Sequence, residues 1–123
     1  MTNSTKIQTA QTVIEKFNYL GRDIYIVRFD RLDLNKHWFN AYITTDKSLN
    51  NYFYFIQNNV EMEISFQGYR KELLGVDDFF YGLTTAFDCD FNTKTDIISK
   101  SKIFVERLND TVFCINHLLQ AVS

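Results

Sequence analysis

The stretch DIYIVRFD, residues 23–30, constrains the chain more than any other. Side chains alternate across a strand, so Ile24, Ile26 and Arg28 fall on one face and Tyr25, Val27 and Phe29 on the other. A strand that is apolar on both sides belongs in the middle of a sheet. RLDLNK then reads as a turn and HWFNAYITT as the second arm of a hairpin. Further on, NYFYFIQ is β-prone, and VEMEISFQ alternates, with Met62, Ile64 and Phe66 inward and Glu61, Glu63, Ser65 and Gln67 outward. FFYGLTTAFD is the last strand: Phe79, Tyr81, Leu83, Thr85 and Phe87 share one side, Phe80, Gly82, Thr84, Ala86 and Asp88 the other.

Both ends of the chain carry helical spacing. Thr5 and Gln8 form a capping-box pair, and Ile7, Ala10, Val13, Ile14, Phe17 and Leu20 recur at helical intervals until Gly21 supplies a left-handed stop. Near the C-terminus Ile98, Val105, Val112 and Leu119, with Leu108, Ile115 and Val122, repeat every seven residues, widened by Ile97, Phe104 and Leu118. The order helix, strands, helix predicts an α+β fold. Its antiparallel sheet has about four to five strands, with an N-terminal helix and a long C-terminal helix packed on one face.

A chain of 123 residues without proline, repeats or low-complexity stretches reads as a single domain, 1–123. With 12 Phe and 7 Tyr it has rings for a core and for a binding surface. A net charge of −2 excludes a field able to hold extended nucleic acid, but not a phosphate in a local basic pocket. Two cysteines, Cys89 and Cys114, form neither a disulfide framework nor a zinc set. No signal-like start and no apolar run of about 20 residues is present, so a soluble protein with no membrane partner is expected.

The knot Asp88, Cys89, Asp90 and Asn92 invites an enzyme reading. Two carboxylates are too few for a cation site, His37 and His117 sit in no known ligand spacing, and Cys89 has no assigned base. Capping of the long helix by Asp90, Asn92 and Thr93 or Thr95 is the better account. No catalytic residue, metal or cofactor is expected. Binding has more support. Arg28 lies among apolar residues on a strand face, where it must snorkel, pair with a carboxylate or receive an anion. Arg107 on the long helix, and Arg70 and Lys71 in GYRKELLG, are further phosphate candidates. Trp38, Phe39, Tyr42, Phe79, Phe80, Tyr81 and Phe87 exceed the obvious needs of one small core, and a ring lining a cleft stacks on a base for about 1–3 kcal/mol.

The order FNAYITT, EISFQGYRKEL, FFYGLTTAFDCDF and VERLNDTVFCINHLLQ resembles a group of small phage proteins. They carry a His-Gly-Gly stretch before an aromatic strand ending in Gly-Phe-Asp-Cys-x-His. Phe87, Asp88 and Cys89 match that ending, whereas Ala86 replaces the glycine, Phe91 the histidine, and Gln67-Gly68-Tyr69 the His-Gly-Gly. The lost histidines weaken any metal or acid–base role. Over roughly residues 20 to 123 the layout also resembles the phage anti-Thoeris sponge proteins. That resemblance implies a homo-oligomer, with pockets between protomers, acting in the host cell cytoplasm. It would hold a glycocyclic ADP-ribose signal intact and so starve a TIR-dependent defence effector. Under it, Phe79, Phe80 or Phe87 would stack on adenine, Arg28 and Arg107 hold the diphosphate, and Asp88 and Asn92 meet ribose hydroxyls. An alternative is a phage inhibitor that docks on a host defence enzyme through its sheet surface, favoured by Glu61 and Glu63. A small hydrolase using Asp88 and Asp90 is a third.

Overall fold

The computed structural model describes residues 9–87 and 92–121. It is an α+β fold built on a five-stranded antiparallel sheet of order β1-β2-β3-β5-β4. The strands are β1 (Thr9–Tyr19), β2 (Arg22–Arg31), β3 (Lys36–Thr45), β4 (Phe66–Tyr69) and β5 (Phe79–Thr84). A 3-10 turn (Lys47–Tyr52) leads into helix α1 (Phe53–Val60), a single turn α2 (Lys71–Leu74) links β4 to β5, and α3 (Lys94–Ala121) closes the described fold. No helix among the described residues is long and apolar enough to cross a membrane.

The interior strand is where its pattern puts it. Ile24 and Ile26 are fully buried against α1 and α3, together with Phe39, Ala41, Ile43, Tyr81 and Leu83. On the opposite face Tyr25, Val27, Phe29, Tyr42 and Phe80 form a second, aromatic cluster, covered by Phe66, Leu73, Leu74 and Val76. Helix α3 lies on the first face through Ile97, Ser101, Phe104, Val105, Leu108, Thr111 and Ile115, all buried at helical spacing. Polar ties fix its position: Tyr19 donates to Glu106 at 2.6 Å, Arg22 to Asn109 at 2.7 Å, and Lys94 pairs with Glu15 at 2.7 Å.

Three expectations are corrected. Residues 9–19 are a strand paired with β2, not part of an N-terminal helix. The cause is a β-bulge, since the register slips between Val13 and Glu15 and one extra residue breaks the period of two. Ile14 and Phe17, three apart, therefore pack against the same helix-side core and imitate a helical interval. Gly21, read as a helix stop, is instead in the β1–β2 turn, where Leu20 and Gly21 both have positive φ (49° and 88°), as primed hairpin turns require. The proposed cap at Thr5 and Gln8 lies outside the described residues.

NYFYFIQ is helical, not extended, because Ile56 and Val60 reach the core at an interval of four, a burial that outweighs the strand preference of Tyr and Phe. In VEMEISFQ only Phe66 onward forms a strand. Glu61 caps α1 with φ 52°, so the expected acidic strand face does not exist, although the inward and outward alternation holds. Its inward residues divide, Ile64 entering the helix-side core and Phe66 the aromatic cluster.

Candidate functional site

The residues singled out in the sequence do not meet in one cavity. Phe79 and Phe80 point to opposite sides of β5. Phe79 sits edge-on to Tyr69 and Tyr81 at 5.4 and 6.1 Å, and Phe80 is fully buried among Tyr25 and Tyr42. A ring with no exposed surface cannot stack on a base, which removes Phe80 from the set. Arg107 lies on the helix side, where its Nη1 donates at 2.9 Å to the carbonyl of Val60, the last residue of α1. It satisfies a helix-end acceptor there instead of facing a ligand. Phe87 is 87% exposed just beyond β5, and Asp88, with Cys89 and Asp90, lies outside the described residues.

Arg28 and Asn92 do come to the same end of the sheet, around the β2–β3 hairpin. Arg28 Nε donates to both carboxylate oxygens of Asp30, at 3.0 and 3.2 Å, and its side chain is 43% exposed. Pairing with a carboxylate, one of the three outcomes open to it, is the one realised. Asn92 is a strut: its Nδ2 donates to the His37 carbonyl at 2.8 Å, and its Oδ1 accepts from the Thr85 hydroxyl at 2.5 Å. Thr85, buried, in turn accepts from the Phe39 amide at 3.0 Å. This chain locks the approach to α3 onto the start of β3. Both polar ends of Asn92 are thus committed to protein.

Around that strut runs a cleft of about 600 Å³ lined by Arg31, Lys36, His37, Trp38, Ala86 and Asn92. Its size lies within the range of about 300–1,000 Å³ typical of small-molecule sites. A notch of about 80 Å³ that includes Arg28 and Asp30 shares Arg31, Lys36 and His37 with it, so the two form one surface. Arg31 pairs with Asp33 at 3.1 Å, and Lys36 forms no ion pair among the described residues. Among the described residues, three cations, Arg28, Arg31 and Lys36, stand here beside two carboxylates, Asp30 and Asp33. Trp38, the only tryptophan of the chain, stacks on Phe29 at 5.4 Å with a 7° interplanar angle and lines the cleft. The hairpin residues Arg31 and Lys36 were not singled out by their sequence. The available signal was two cations bracketing a turn between strands.

A smaller cleft of about 390 Å³ is lined by Arg22, Thr44, Asp46 and Asn109, with Arg22 held by protein acceptors. Its Nε and Nη1 donate to Asn109 and the Thr44 carbonyl, and burial lowers its pKa. Among the described residues no group of three or more His, Cys, Asp or Glu is placed to hold a metal ion. No protein-family model, curated protein or solved structure matches the chain.

Proposed function

We propose that this protein binds a small phosphate-bearing signalling nucleotide of the glycocyclic ADP-ribose class and sequesters it uncleaved, as a phage counter-defence protein acting in the host cytoplasm. The observation that carries this reading is the hairpin-end cleft, which gathers Arg31, Lys36, His37 and Trp38 on one surface beside Arg28. A cyclic ADP-ribose presents an adenine ring and a diphosphate. Trp38 offers an aromatic face for the first, and Lys36 with Arg31 and Arg28 offers charge for the second. Asn92 acts as a positioning residue that holds the cleft wall, and Phe87 is an exposed ring at its approach. We also propose self-association, through an apolar groove where Tyr52 and Phe55 meet Ile115, Leu118 and Leu119.

Titration with a glycocyclic ADP-ribose isomer, read by heat and by the emission of the single tryptophan, tests the reading. Saturable binding that alters Trp38 emission is expected, with intact ligand recovered by chromatography after heating. Trp38→Leu should weaken binding by about 1–3 kcal/mol, and Lys36→Ala should weaken it as well. An absence of heat overturns the reading, cleaved ligand replaces a sponge with a hydrolase, and full affinity in both variants moves the site elsewhere.

A further inference from the structure

Arg70 lies on the sheet face of the aromatic cluster, in a setting the hairpin-end cleft does not use. Its guanidinium carbon lies 5.3 Å from the ring centres of both Tyr42 and Phe66, and its Nη2 donates to the Tyr42 hydroxyl at 3.1 Å. Those rings close in because Gly82 is the cross-strand neighbour of both. A Cβ at Gly82 would come within 2.8 Å of the Phe66 Cβ and 3.4 Å of the Tyr42 ring. Contact with Tyr42 is the single hydrogen bond of the Arg70 side chain among the described residues, its buried Nε has no partner, and no carboxylate among them pairs with it.

Arg70 also lines a cleft of about 720 Å³, together with Gln11, Tyr69, Lys71, Glu72 and Leu73. The lining holds two cations against the one carboxylate of Glu72, which pairs with no cation among the described residues. A cation that only capped the aromatic cluster would need no cleft beside it, and leaving a buried N–H unpaired is costly. A guanidinium already resting against two rings, by contrast, gives up little rotamer freedom when it receives an anion, and its fork matches the geometry of carboxylate and phosphate oxygens.

We infer that the cleft between β1 and α2 is a second binding site, for a compact small molecule bearing a carboxylate or phosphate group, with Arg70 as the anion receiver and Lys71 as an auxiliary charge. No lining residue is common to this cleft and the hairpin-end cleft. Gln11, Phe29 and Trp38 are successive cross-strand neighbours, so the stacked Phe29–Trp38 pair stands between the two.

The test is a pair of titrations of the isotope-labelled full chain followed by amide spectra, one with inorganic phosphate and one with acetate, at constant ionic strength. Saturable shifts at Gln11 and at residues 69–73 are expected, and the probe that saturates first identifies the preferred oxyanion. Arg70→Met, which keeps an apolar stem over the rings, should weaken binding about tenfold or more. Lys71→Gln, an exposed change that leaves the fold intact, should weaken it several-fold. Non-saturating shifts with both probes overturn the inference, as does wild-type affinity in Arg70→Met, or in Lys71→Gln if Arg70→Met does not fold. Failure of the hairpin-end reading would appear separately, as silence at residues 36–38 when the cyclic ADP-ribose isomer is added.

Discussion

At the scale of single residues, the absence of one side chain organises the second sheet face. Gly82 has ordinary strand neighbours and no φ that demands glycine, yet Phe66 and Tyr42 meet over it edge to face at 5.7 Å, with Arg70 against both rings. Gly82→Ala should therefore lower stability by about 1–3 kcal/mol through overpacking, visible as a fall in melting temperature. An unchanged melting temperature would mean that Phe66 gives way freely. Nothing in FFYGLTTAFD announces this, because the neighbours that make a glycine necessary come from β3 and β4. The face assignment of the same strand was legible: Phe79, Tyr81 and Leu83 do share the helix side, and Phe80 and Gly82 the other. What alternation could not say is that Phe80 has no exposed surface, since burial depends on Tyr25 and Tyr42 brought from other strands.

At the scale of elements, the two strands of the central hairpin were read correctly, whereas VEMEISFQ, which alternates as cleanly, is a strand only from Phe66, and β1, whose period is broken, was read as a helix. DIYIVRFD and HWFNAYITT pair in register as a hairpin from Ile24 opposite Ile43 to Arg31 opposite Lys36. In β1 the bulge at Ile14 put apolar residues three apart on one face, and a local pattern cannot distinguish that from a helical turn. The long C-terminal helix was legible because its buried stripe persists from Ile97 to Ile115, about five turns at 3.6 residues per turn and long enough for periodicity to dominate. Phe104 sits at the centre of that stripe, fully buried and edge-on to Tyr81 at 6.5 Å. Phe104→Ala should cost about 3–5 kcal/mol, measured by denaturant unfolding. A loss below about 1 kcal/mol would indicate that the helix does not depend on this contact for docking. The candidate site was legible only in part for a related reason. Arg28 and Asn92 mark the correct end of the sheet, but the cleft itself is completed by Arg31, Lys36 and Trp38, which the hairpin turn brings to Asn92 from more than fifty positions away.

At the scale of the whole molecule, the helix side has an apolar groove at its far end. Leu118 is 56% exposed and Leu119 44%, facing Tyr52 and Phe55 across a groove of about 180 Å³. If copies of the chain meet there, sedimentation equilibrium should give an oligomer for the wild type and a monomer for Leu118→Glu, because an interface core tolerates an unpaired charge poorly. A wild type that sediments as a monomer at high concentration would remove the groove from the assembly. The position of α3 in the chain also has a consequence for biosynthesis. The helix that covers Ile24, Ile26, Ile43 and Leu83 is made after every described strand of the sheet it protects. At about 5–20 residues per second, its 28 residues take a few seconds to translate. During that interval the nascent sheet presents an uncovered apolar face, which makes the newborn chain a natural client for chaperones that act at the ribosome.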